Sequence, residues 1–274
     1  MDRVKTKEQQ QQVTLEDRFD EFLRSVANTP GVNLQYPKVE DWLRDVYKME
    51  RMKERMKKLP PSPPPPPTKV EQVKMPPPPP SPSPPTKVEL KEEWIRDIKG
   101  FEFDGAHLCV GKGIGEEKGF LKFYCSIKPG RVEEFLREML NWLREQKKPV
   151  NFQGKWEVGE FILYVPFEEA TNIVGFLTRA QEKDMFSPTA GYGYKIQLFP
   201  GVLFGLTQEG HTGQSFDQSV ISVIFDSSVE NYDEDTWVKM VLERLCDPST
   251  NPVSYIHFRF LRRVTEEQPS AGRF

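Results

Sequence analysis

The chain has 274 residues, 37% of them apolar and 29% charged, with a net charge of −3. That is enough for one or two domains, but 15 of the 25 prolines fall between Pro60 and Pro85. Proline fixes φ and removes a backbone donor, so that stretch is neither helix nor central strand, and a single uninterrupted globule is excluded.

Glycine does not recur at every third position, which excludes collagen. No run of 18 apolar residues exists, so no spanning helix and no membrane partner is expected. The first twelve residues are polar and mixed in charge, unlike a secretory leader. Cys109, Cys125 and Cys246 are odd in number and form no C-x-x-C pair, which fits reduced thiols in a cytoplasmic compartment.

Charge divides by segment. Residues 1–58 carry 13 Lys+Arg against 11 Asp+Glu, whereas residues 87–274 carry 23 against 29. An acidic main domain argues against nucleic acid as a partner, because non-specific binding rests on neutralising phosphates. Only 5 of the 32 aromatic residues precede residue 87, which places the main core after it. The expected organisation is a helical arm at 1–58, a proline-rich linker at 59–86 and an α/β domain at 87–274.

In chain order, Thr14 and Asp17 form a capping-box signal. Leu15, Phe19, Phe22, Leu23 and Val26 follow at helical spacing, and Pro30-Gly31 ends the helix. A second helix carries Trp42, Val46, Met49, Met52 and Met56 and finishes among lysines and arginines, which suit a helix C-terminus. That stripe reads either as a docking face for a protein or peptide partner or as a small hairpin buried on itself or on the main domain. The linker holds a near-repeat: Pro61-Ser62-Pro63 leads to Thr68-Lys69-Val70-Glu71, and Pro80-Ser81-Pro82 leads to Thr86-Lys87-Val88-Glu89. It reads as a stiff polyproline II spacer, with P-x-x-P ligands as the alternative.

Residues 106–110 and 120–127 read as a hairpin across the Gly-rich stretch 111–119. Val132, Phe135, Leu136, Met139, Leu140 and Leu143 then make one apolar helical stripe behind Pro129. Strands are expected at 149–152, 161–165, 194–198, 202–206 and 254–261, and helices at 167–181, 215–227 and 233–245. This order predicts an α+β or mixed α/β fold, a layered sheet with packed helices, alongside the N-terminal helical segment and the polyproline linker.

Val110-Gly111-Lys112-Gly113-Ile114-Gly115 lacks the spacing of a phosphate-binding loop and reads as a turn. His107, Cys109 and Cys125 lack a fourth ligand, so no metal is expected, and no motif implies a cofactor.

The most distinctive stretch runs from Tyr194-Lys195 through Pro200-Gly201 and the apolar run Val202 to Leu206 to Gly213-Gln214-Ser215-Phe216. Together with the element order over about 103–262, it resembles the HopA-type type III secretion effector family, with a Lys before a Pro-Gly turn and a Gly-x-Ser-Phe element opening a helix. Some relatives are plant-pathogen effectors, which leaves export by a non-classical route open. Others are phosphothreonine or phosphoserine lyases of lanthipeptide synthesis. The resemblance implies that Lys195 matches the family's Lys, a candidate base. His211 is a candidate acid for the leaving phosphate. Phosphate ligands would come from Lys112, Lys122, Arg259 or Arg262 on the sheet.

The chain departs from the family pattern at Asp217, which follows Ser215-Phe216 where a Gly and then an Arg are usual. No Arg occurs between Arg179 and Arg244, although Arg is the favoured bidentate phosphate ligand. Two functions follow: a non-catalytic protein-interaction module, or a carbon–oxygen lyase acting by β-elimination on a phosphorylated peptide or protein.

Overall fold

The structure is a computed structural model and describes residues 14–58, 101–103, 107–110, 120–145, 152–157, 160–188, 193–207 and 215–267. The first helix, α1 (Leu15–Ala27), starts where the capping box predicts. The Thr14 hydroxyl accepts from the Asp17 N–H, and the Asp17 carboxylate accepts from the Thr14 N–H. Phe19, Phe22, Leu23 and Val26 are buried, one face of a 3.6-residue period. The second helix, α2 (Val39–Lys58), buries Val39, Leu43, Val46 and Tyr47.

Seven strands follow: β1 (Phe101–Phe103), β2 (His107–Val110), β3 (Phe120–Ser126), β4 (Phe152–Glu157), β5 (Glu160–Pro166), β6 (Ile196–Phe199) and β7 (Val202–Thr207). They form one antiparallel sheet in the order β1-β2-β4-β5-β3-β7-β6. Five further helices complete the described chain: α3 (Val132–Glu145) after β3, α4 (Phe167–Glu182) after β5, then α5 (Phe216–Phe225), α6 (Glu234–Leu245) and α7 (Tyr255–Glu267). This is an α+β fold.

The centre of the sheet is covered on both faces. Register sets Phe123 opposite Leu163 and Phe204, and Leu121 opposite Val165 and Leu206. These residues share one face, since alternate strand residues point the same way. Helices α3 and α4 cover it, with Phe135 meeting Phe161 and Phe176. The other face of β3 carries Lys122 and Tyr124, opposite Gly205 and Leu203 of β7. Helix α5 reaches this face through Phe216. A Cβ on Gly205 would stand 2.6 Å from the Phe216 ring, so only glycine permits that approach.

Two expectations are corrected. The hairpin between 106–110 and 120–127 does not form. Strand β2 pairs with β1 and β4, and β3 pairs with β5 and β7, three places away in the sheet. Cys109 therefore lies opposite Gln153 and Glu102, not Leu121. A strand with one apolar and one polar-aromatic face, both buried, belongs at the centre, and β3 is that strand. The turn assigned to 111–119 lies outside the described residues.

The last element is a helix, not a strand. Ile256, Phe258 and Phe260 alternate and suggest a period of two, yet the buried set is Ile256, His257, Phe258 and Leu261, which wraps a helix.

The N-terminal helices pack on the rest, one of the two readings of their apolar stripe. Phe22 packs edge-on against Phe167 and Phe204, and Tyr47 lies 5.6 Å from Trp237, centroid to centroid. Arg18 pairs with Glu168, Arg263 with Asp20, and Arg44 with Asp235 at 2.5 Å and Glu234 at 3.2 Å. Gln35 pairs with Gln197 through two backbone hydrogen bonds of 3.0 Å, extending the β6 edge. One hydrophobic core includes all of these elements. The predicted linker at 59–86 and its near-repeat lie outside the described residues.

Candidate functional site

Strand alternation turns Lys122 and Tyr124 to the α5 side of the sheet, and register sets Tyr164 of β5 beside Lys122. The turn before β6 adds Tyr194 and Lys195. Helix α5 adds Asp217 in its first turn, behind the N-cap Ser215, whose hydroxyl accepts from the Gln218 N–H while the Gln218 side chain accepts from the Ser215 N–H. These elements bring two lysines and two phenols onto one carboxylate.

Lys122 Nζ donates to Asp217 Oδ2 at 2.8 Å, and Tyr124 Oη donates to the same oxygen at 2.7 Å. Lys195 Nζ lies 2.9 Å from Asp217 Oδ1, to which Tyr194 Oη donates at 2.8 Å. Lys122 is 3% exposed and Lys195 6%. The Lys195 ammonium also stands 3.5 Å from the Tyr124 ring centroid, and Lys122 stands 5.5 Å from that of Tyr164.

The electrostatics follow from this packing. Burial by itself would raise the Asp217 carboxyl. The ammonium groups of Lys195 and Lys122, with the hydrogen bonds from Lys122 and Tyr124, outweigh it and hold the carboxyl well below the usual carboxylate range. Burial and the Asp217 charge push the Tyr124 phenol well above its ordinary value, so it stays a neutral donor.

The support behind this cluster is His257 of α7, fully buried. Its Nδ1 accepts the Leu206 N–H at 3.3 Å, which leaves Nε2 as the protonated nitrogen, donating to the Tyr194 carbonyl at 2.6 Å. Burial pushes the imidazole down to about 4, with the nearby Lys195 charge acting in the same direction. The Phe216 ring meets it edge-on, with centroids 5.1 Å apart. Trp42 of α2 packs on Tyr194 from outside, centroids 4.7 Å apart. A Cβ on Gly193 would stand 2.2 Å from Trp42, so the close approach of α2 needs glycine there.

The sequence-derived candidates therefore separate. Lys195 and Lys122 meet at Asp217. Arg259 and Arg262 lie on α7 rather than on the sheet. Arg259 donates to the Cys246 carbonyl at 2.9 Å, and Arg262 to Glu266 at 2.8 Å, both half-exposed. His211 and Lys112 lie outside the described residues. Of the candidate docking stripe, Val46 is buried in the core and Trp42 is half-buried against Tyr194, whereas Met49, Met52 and Met56 are 53%, 61% and 65% exposed.

Sequence reasoning missed Tyr124, Tyr194 and His257. The signal for Tyr124 was available, since Lys122 and Tyr124 alternate with apolar Leu121, Phe123 and Cys125. His257 sat in a segment read with the wrong period.

The arrangement is a cationic, phenol-lined cradle around the protein's own Asp217 carboxylate. Among the described residues, no group of three His, Cys, Asp or Glu side chains is placed to hold a metal, and no helix is long and apolar enough to cross a membrane.

No family model matches the chain, and no curated protein matches it. One solved structure to which it is similar is the effector protein from Pseudomonas syringae pv. tomato strain DC3000. The identity is 11%, the match covers 87% of this chain and 80% of that one, and the TM-score is 0.37, a likeness that carries no argument about fold or function.

Proposed function

We propose that the chain is a protein-interaction module and that its cradle does not turn over a phosphorylated substrate. The observation that carries this reading is the occupancy of both buried lysines by Asp217, at 2.8 and 2.9 Å. β-Elimination needs a base for the α-proton and cationic donors for the departing phosphate. Both ammonium groups already pair with a carboxylate, and an arriving phosphate dianion would meet that negative charge at close range. The interaction role draws on the three methionines that α2 leaves exposed.

The lyase is the second reading. The observation in its favour is that Lys122 and Lys195, two of the residues singled out for phosphate chemistry, are buried together at one point. Incubation with phosphothreonine peptides, followed by mass spectrometry, separates the two. The wild-type chain is expected to return the peptides intact. A dehydrated product that disappears in Lys195→Ala would establish the lyase instead.

A further inference from the structure

Helix α2 runs past the part of it that packs on the core. Residues 39–47 hold Val39, Leu43, Val46 and Tyr47 against the core. Beyond them comes the stripe of Met49, Met52 and Met56, each more than half exposed. At 3.6 residues per turn these three methionines fall within about 60° of one another and continue the line of Trp42. Among the described residues, no side chain of the helix after Tyr47 is buried, so the methionines have no packing role there.

The border of the stripe is basic on both flanks. By the same spacing Lys48 and Arg55 lie on one side and Lys53 and Lys57 on the other, and all four are exposed. The acidic residues of this part, Glu50 and Glu54, turn toward the core side and are only 28% and 22% exposed as side chains. Glu50 pairs with Lys53 at 2.6 Å and Glu54 lies 3.9 Å from Arg51. Asp45, 77% exposed as a side chain, closes the stripe at its N-terminal end. The solvent side from Lys48 onward is therefore polarisable and apolar along its middle and positive along both edges.

We infer that this face binds an acidic amphipathic helix of a partner protein. The inference rests on the interaction reading above and names the partner's chemistry. Spacings of three and four residues on one face match the i, i+3, i+4, i+7 side chains of a second helix rather than the period of a strand. Methionine is unbranched and adapts to varied apolar knobs. The Lys and Arg flanks select glutamates or aspartates bordering those knobs, and reject a basic helix by like-charge contact.

The test uses the full chain and three labelled synthetic helices with identical leucine faces and Glu, Gln or Lys flanks, read by fluorescence anisotropy. The Glu-flanked helix is expected to bind at least about tenfold more tightly than the Lys-flanked one, and to weaken about tenfold as salt rises from roughly 0.05 to 0.5 M. The variant Met49→Ser/Met52→Ser/Met56→Ser, altered only at exposed positions, is expected to keep the wild-type melting curve and lose the binding. Equal binding of all three helices that the methionine variant abolishes would leave a docking face and overturn its acidic preference. Binding that survives the methionine variant, or no binding by any helix, would overturn the inference. The phosphopeptide assay decides the interaction-versus-lyase reading separately.

Discussion

His257 shows how one side chain can tie several elements. Its ring accepts from Leu206 of β7, donates to the Tyr194 carbonyl beside the cradle, and meets Phe216 of α5 edge-on. Protonating Nδ1 would remove the acceptor that Leu206 uses and place a charge in a fully buried site near Lys195. The folded value of about 4 lies below the ordinary 6.5, so the unfolded chain takes up this proton first as pH falls. Stability from His257 is fully present above about pH 6.5 and is lost down to about pH 4, amounting to about 3 kcal/mol. Urea unfolding at pH 6.5 and 4.5 is expected to show this loss in the wild type and a flatter response in His257→Phe. An equal pH response in both proteins would remove His257 from the account. None of this was legible in the sequence, because a lone His among Ile256, Phe258 and Phe260 reads as a strand residue until the three-dimensional partners appear.

At the scale of elements, the sequence was informative wherever local physics decides the outcome. The capping box at Thr14 and Asp17 and the stripe from Val132 to Leu143 became α1 and α3 within a residue or two. What remained hidden was strand pairing. Turn-rich residues between two apolar runs suggest a hairpin, but the neighbours of β3 are chosen by which faces are buried. The α5–sheet contact is the sharpest case, since it depends on Gly205 being bare under Phe216. Gly205→Ala is expected to destabilise the fold by about 1–3 kcal/mol, because the added methyl would overlap a fully buried ring. Denaturant midpoints check this, and an unchanged midpoint would mean that α5 does not sit as described. The site was half legible for the same reason. Lys122, Lys195 and Asp217 could each be singled out by residue type or by departure from a family pattern, but nothing along the chain shows that they converge.

At the scale of the molecule, the prolines between Pro60 and Pro85 suggested an arm on a spacer, yet α1 and α2 bury Phe19, Phe22, Leu43 and Val46 in the same core as the sheet. Composition shifts mark a change of local chain character, but they do not record where the chain returns. The same core holds the cradle together. Asp217 links α5 to β3 through Lys122 and Tyr124, and to the turn before β6 through Lys195 and Tyr194, while α2 covers Tyr194 with Trp42. The central claim is that this carboxylate is the cradle's resident anion, and global unfolding of Asp217→Asn at neutral pH tests it most directly. Removing one partner from a buried charge cluster costs about 3–5 kcal/mol, and a loss of that size is predicted. A variant as stable as the wild type would contradict the account and reopen the cradle to an external ligand.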